Sequence, residues 1–177
     1  SLSSAETPPW REQLAGRIAT FSTAAIPPES VILEMIQCRL LDSFAVALAA
    51  INRGPVASAR AMALAHQRSG GAPLFGLPNS ITVDCEWAGF ANSVAIRELD
   101  FNDTFLAADF AHPSDCIAPI LAVAQQTGQT GASLAQAIAV SYEIHIALVK
   151  AIDLHSHKKD HVAHLAPAIA AGLGALL

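Results

Sequence analysis

Aromatic side chains are scarce in this sequence, at 6% of 177 residues, and charged ones reach only 14%. A core must then be built from alanine, leucine and isoleucine, a palette that favours closely packed helices. Cysteine is scarce as well. Cys38, Cys85 and Cys116 are odd in number, widely spaced and without C-x-x-C pairs, which argues against a disulfide or cysteine-zinc framework and for a reducing compartment. Ten basic residues against fifteen acidic ones leave a formal charge of −5, and no basic stripe with interleaved aromatics offers a footprint for nucleic acid. Long apolar runs are missing too. "FAVALAAI" at 44–51 falls far short of the roughly 20 residues that cross a bilayer. The opening "SLSSAETPPWREQ" lacks the basic-then-apolar order of a secretory signal. There is no Gly-rich phosphate loop, no G-x-S-x-G elbow and no setting for a nucleophilic cysteine. The expectation is a cytoplasmic protein that binds neither nucleic acid nor membrane.

What is present is helical periodicity. The chain is 53% hydrophobic with a mean hydropathy of +0.41. Trp10, Leu14, Ile18 and Phe21 predict a helix over 10–22, broken by "IPPES". Pro28 and Glu29 suit the first turn of a second helix over 28–51, with Leu33, Ile36, Leu40, Phe44 and Leu48 on its apolar face. A third helix is expected over 55–68, closed by "SGG". Residues 72–82 are rich in turn formers, with at most a short extended piece at Leu74 and Phe75. Further helices are predicted over 83–98, 113–126, 132–151 and 161–177, joined by a loop through 99–112 and a polar connection over 153–160. The fold class is all-α. The sequence closes on the apolar "APAIAAGLGALL", so residues 1–177 are expected to be the N-terminal portion of a helical domain cut from a larger protein.

Two polar clusters interrupt the apolar chain. The first is "LDFNDTFLAADFAHPSD" at 99–115, where Asp100, Asp103, Asp109 and Asp115 surround His112. Pro113 restricts the backbone of His112 to extended conformations and so fixes its direction. A loop over the ends of packed helices is a common place for functional groups. It can equally be a polar connection in which Ser114 and Asp115 offset the positive end of the next helix, and composition alone favours that reading. The second cluster is "LHSHKKDHVAH", with His155, His157, Asp160, His161 and His164. It approaches an H-x-H-x-D-H metal signature, but two residues separate His157 from Asp160 and no strand pattern precedes it. A zinc site on His155, His157 and His161 is therefore a weak alternative. Lys150, Lys158 and Lys159 are solvated by default, yet in an acidic chain such a knot could hold an anion. Glu143 and His145 are expected to be structural.

The first cluster resembles the signature loop of the MmgE/PrpD family, which holds the 2-methylcitrate dehydratases and cis-aconitate decarboxylase. "FANSVAIRELD" and "DHVAHLAPAIAAGLGALL" are similar to the segments before and after it, in order, from about residue 10 to the end. The resemblance implies a large helical domain with a smaller α/β lid, an active site between them, a homodimer and no iron–sulfur cluster or other cofactor. It implies Asp100, His112 and His161 as catalytic residues, with His164 beside them; His164, Lys159 and Asp103 are the expected substrate contacts, and no metal ligand is expected. Asp109 and Asp115 remain structural. The implied reaction is dehydration of 2-methylcitrate or a related tricarboxylate in propionate catabolism, in the cytoplasm or, in a eukaryote, the mitochondrial matrix. The two histidines would exchange protons with the substrate while Asp100 orients one imidazole and sets its tautomer. The alternatives are a lyase like cis-aconitate decarboxylase and a non-catalytic helical interaction module. Family members are longer, and later groups, including a lysine and a tyrosine in the decarboxylase branch, have no counterpart in these residues.

Overall fold

The structure, a computed structural model, describes residues 8–24 and 26–177; residues 1–7, part of the stretch read for a secretory signal, lie outside it. A 3-10 turn at Trp10–Glu12 precedes α1 (Leu14–Thr23), α2 (Ser30–Ala49) and α3 (Gly54–Ala63). The chain then forms β1 (Gln67–Pro73) and β2 (Thr82–Val83), an antiparallel pair with an irregular register, before α4 (Cys85–Arg97). A second antiparallel pair follows, β3 (Phe105–Leu106) and β4 (Phe110–Ala111). A 3-10 turn at Pro113–Cys116 leads into α5 (Ile117–Thr127), and α6 (Gly131–Ala151) comes next. Two more 3-10 turns, His155–His157 and His161–His164, lead to α7 (Leu165–Leu176).

Seven α-helices carry the described residues, so the helical expectation holds for the bulk of the chain. The two ribbons correct its strict all-α form. The first lies partly where the third helix was expected to run on to residue 68. There the chain leaves the helix at Gln67, whose backbone is extended. His66 is held back instead: its carbonyl accepts from Asp84 N–H at 3.0 Å, and its ring stacks on Trp87 at 4.0 Å. Asn92 then pins the segment from α4, donating to the Pro73 carbonyl and accepting from Phe75 N–H. A side chain that satisfies both backbone groups replaces the missing helix or sheet partners.

Burial also departs from the expected stripes. On α2, Ile36 is buried, but Leu48 at the end of the predicted face is 57% exposed. A row of four-residue steps drifts by about 40° per step around a helix, so the buried line moves instead through Ser43, Ala47 and Ala50. Trp10, in the 3-10 turn before α1, and Leu14 and Phe21 on α1 are exposed, and Ile18 alone of the predicted four packs into a core cluster, against α6 and α7.

The core centres on α5. Its Ile117 and Ile120 pack with Ile36 of α2, Ile138 of α6 and Leu176 of α7. Its Ala118 joins Ala47, Val56 and Ile96, and its Ala122 joins Leu74, Val83 and Ala88. Gly128 ends the helix in the left-handed conformation at φ 67°, a position that a Cβ would strain. α6 is long and apolar enough, by length and composition, to cross a membrane. In this fold it is a core helix: it packs along α7 and buries Ala137, Ile138, Ile144, Leu148 and Val149. Its N-terminus is capped by the Thr130 hydroxyl, which accepts from Ser133 N–H at 3.1 Å. The β3–β4 ribbon lies against the C-terminal end of α6 through the Asp109 N–H, which donates to the Val149 carbonyl at 3.3 Å.

Candidate active site

The loop after α4 is organised by Arg97, in the last turn of that helix. Its guanidinium donates to the Asp100 carboxylate and to Asn102 Oδ1, and Nε lies 3.7 Å from Asp115 Oδ2. Asp100 sits in the left-handed region at φ 56°, with its side chain 70% exposed. Hydrogen bonding and charge from Arg97 hold its carboxyl below the usual range. Asn102 is buried and donates to Ser114 Oγ and Asp115 Oδ1, which ties the start of the loop to the turn before α5. Burial, opposed by Arg97, pushes the Asp115 carboxyl up to about 6.

Asp103 turns its carboxylate into the fold. Oδ1 accepts from Ser114 N–H at 2.9 Å, Oδ2 accepts from the Tyr142 hydroxyl at 3.0 Å, and Arg39 lies 3.7 Å away. Burial first, and the Asp103 charge second, push the Tyr142 phenol up, so it stays a neutral donor. What Asp103 offers the site is its backbone carbonyl, which accepts from His112 Nδ1 at 2.8 Å. A carbonyl only accepts, so the proton sits on Nδ1 and Nε2 is left free. Nε2 faces Asp100 Oδ1 across 3.9 Å. The tautomer of His112 is thus set by the Asp103 carbonyl, not by the Asp100 carboxylate as the sequence suggested. The backbone of His112, at φ −115° and ψ 88°, is extended as Pro113 requires.

The second cluster folds back onto the first. The His161 ring lies 5.8 Å from that of His112 and 4.5 Å from Phe110, whose ring also stacks on His155 at 4.9 Å. Asp160 caps the turn that carries His161 by accepting from Val162 N–H, and its Oδ1 lies 3.0 Å from His161 Nδ1. His161 Nε2 is buried without a hydrogen-bond partner among the described residues. Burial lowers the affinity of His161 for a second proton; Asp160 opposes this, and His112 adds to it. The site therefore holds two adjacent imidazoles, each with Nδ1 beside an acceptor and Nε2 unoccupied. That arrangement suits proton transfer at two positions on one small molecule.

The structure brings Asp100, His112 and His161 into one patch. His164 lies behind it, 3% exposed, with Nε2 3.2 Å from the Ile152 carbonyl and its ring 6.5 Å from that of His145. Lys159 is exposed, tied into its turn by its backbone N–H to the Leu154 carbonyl. Nor are His155, His157 and His161 gathered as a zinc trio. Among the described residues, the ligand atoms that converge within 4.8 Å belong to Asp109, Asp153 and His155, and two of these three are already hydrogen-bonded to each other. Sequence reasoning missed Arg97, Phe110 and the Asp109–His155 pair. Arg97 had a signal, three residues before Asp100 at the end of a helix. The other two meet their partners only through the fold.

Residues 12–177 match the family model described as the MmgE/PrpD N-terminal domain. The 2-methylcitrate dehydratase of Escherichia coli (strain K12) is 34% identical over 85 residues, 44% of this chain and 18% of that protein. The 2-methylcitrate dehydratase of Salmonella typhi is 37% identical over 67 residues, 38% of this chain and 14% of that protein. The matched stretches thus span less than a fifth of the length of these relatives.

Proposed function

Since this chain belongs to the MmgE/PrpD family, we propose that it carries the acid–base half of a hydro-lyase site that dehydrates 2-methylcitrate or a related hydroxytricarboxylate. The observation that carries this reading is the pairing of His112 and His161, rings 5.8 Å apart, with Nδ1 of each beside an acceptor. The names of the E. coli and Salmonella relatives support dehydration over decarboxylation.

The reaction removes a weakly acidic proton next to a carboxylate and expels hydroxide from the neighbouring carbon. One group must take the first proton and another must deliver one to the departing oxygen. His161, kept neutral chiefly by burial, has a free lone pair on Nε2 and is the base. His112, its Nδ1 held by the Asp103 carbonyl, relays the second proton through Nε2, which must be loaded before it delivers to the departing oxygen; Asp100, 3.9 Å away and held ionised by Arg97, faces that nitrogen. The proposed reaction is two proton transfers and the breaking of one C–O bond, the departing hydroxide leaving as water, and it calls on no redox group. A lid, a second copy of the chain and cationic groups for the remaining carboxylates would come from outside these residues, in a cytoplasmic enzyme. A purely structural helical module would have no use for two histidines with free nitrogens on an otherwise apolar scaffold.

The test is turnover of 2-methylcitrate by the complete protein that contains this chain. His161→Ala is expected to lower kcat by about a hundredfold or more, the usual scale for one general base. Turnover by H161A at the wild-type rate would overturn the assignment.

A further inference from the structure

A third imidazole stands at the same patch, held more firmly than the other two. Asp109 was expected to be merely structural, but its carboxylate is spent on one task. Its side chain is 1% exposed; Oδ1 accepts from its neighbour Phe110 N–H at 2.8 Å and from His155 Nδ1 at 2.6 Å, and Oδ2 accepts from Leu154 N–H at 2.9 Å. Two of these three bonds fix His155 and the residue before it. The His155 ring is clamped flat on Phe110 at 4.9 Å and lies nearly parallel to the His161 ring at 6.1 Å. Its side chain is nonetheless 48% exposed, and its Nε2 has no partner among the described residues. A histidine whose only duty was to neutralise a buried carboxylate would not need its outer edge presented beside two free imidazole nitrogens.

We propose that His155 is a substrate-binding residue of this site: Nε2 donates to a carboxylate of the bound acid, and Asp109 is the positioning residue behind it. Each ring nitrogen then faces a carboxylate, that of Asp109 at Nδ1 and that of the substrate at Nε2. The inference rests on the proposed hydro-lyase reading and adds a recognition element to it. In a chain of net charge −5, an N–H donor fixed in position gives an anionic substrate a directed contact. His112 and His161 then remain free for proton transfer, because binding is assigned to a ring that the chemistry does not use.

The decisive variant is His155→Asn in the complete protein. The asparagine amide can donate to Asp109 as Nδ1 does, which preserves the structural bond, but it has no atom where Nε2 was. H155N is expected to raise KM for 2-methylcitrate by about tenfold or more with kcat within about threefold, the scale of one charge-assisted hydrogen bond made equally in ground and transition states. Asp109→Asn, which leaves His155 in place without its anchor, is expected to shift KM in the same direction. KM does not depend on how much of the protein is active, so partial unfolding cannot imitate the result. Should H155N keep KM within twofold of a wild-type enzyme that turns over 2-methylcitrate, His155 is a prop for Asp109 and this inference alone is overturned. Should the wild-type protein fail to turn over 2-methylcitrate at all, the hydro-lyase reading falls and takes the inference with it.

Discussion

Nε2 of His112 faces Asp100 Oδ1 across 3.9 Å while its Nδ1 donates to the Asp103 carbonyl at 2.8 Å. Asp100 stands three positions beyond α4, and His112 directly precedes Pro113. Asp100 holds a left-handed backbone at φ 56°, which costs a non-glycine residue about 1 kcal/mol. Its exposed ion pair with Arg97 returns little of that. Strain that persists without a packing reason collects at functional positions.

Asp100→Gly separates the two roles. Glycine accepts the left-handed conformation freely, so this variant is expected to melt at or slightly above the wild-type temperature. Turnover of 2-methylcitrate is expected to fall by about a hundredfold, because the carboxylate that balances His112 is gone. Thermal melts beside kinetics check both halves. A clear loss of stability in D100G would make Asp100 a scaffold residue instead.

A second consequence concerns acid. His145 on α6 is 1% exposed, and neither of its ring nitrogens has a partner among the described residues. Burial, reinforced by His164, pushes its imidazole down from 6.5 to about 4. The folded state therefore refuses a proton that the unfolded chain accepts. The contribution to stability is whole above pH 6.5 and is lost as pH falls towards 4. His145→Leu removes both the titration and the unsatisfied nitrogens. It is expected to stabilise the protein at pH 7 by about 1–2 kcal/mol, and to flatten the loss between pH 6.5 and 4. Urea midpoints across that range measure it; parallel curves for the two proteins would sink the argument.

The motif-borne part of the site was legible because its signal is local. Asp100 and His112 lie in one loop, and Pro113 announces the direction of His112 from the next position. His161 could be paired with them only through the family resemblance, since the ring contact across 49 positions is a product of the fold. The Asp109–His155 bond was illegible for the same reason: residues 46 apart meet because β4 and the turn at His155–His157 fold against one end of α6. The ribbons escaped notice because three of the four strands are two residues long, too short to show alternation. β1 escaped for another reason: Asn92 holds its end in place through side-chain bonds that no periodicity reports.

α7 supplies the last prediction, through two glycines in one helix. An ideal Cβ on Gly172 would meet Ile120 Cδ1 at 2.7 Å, the Ala137 carbonyl oxygen at 2.8 Å and Ser141 Cβ at 3.0 Å. One on Gly174 would meet nothing nearer than Ser22 Cβ at 3.9 Å. Helix propensity alone favours alanine at both by up to about 1 kcal/mol. At Gly174 nothing opposes that gain, and G174A is expected to raise the melting temperature. At Gly172 the new methyl group must push α7 off α5 and α6, at an expected net cost of about 1–3 kcal/mol. The Ala137 carbonyl belongs to helix backbone and cannot swing aside as a side chain would. His161 and His164 ride on the turn that leads into α7, so G172A is also expected to lower turnover in the molecules that still fold. Equal melting temperatures for the two variants would show that the α6–α7 interface yields more readily than its closest approaches imply.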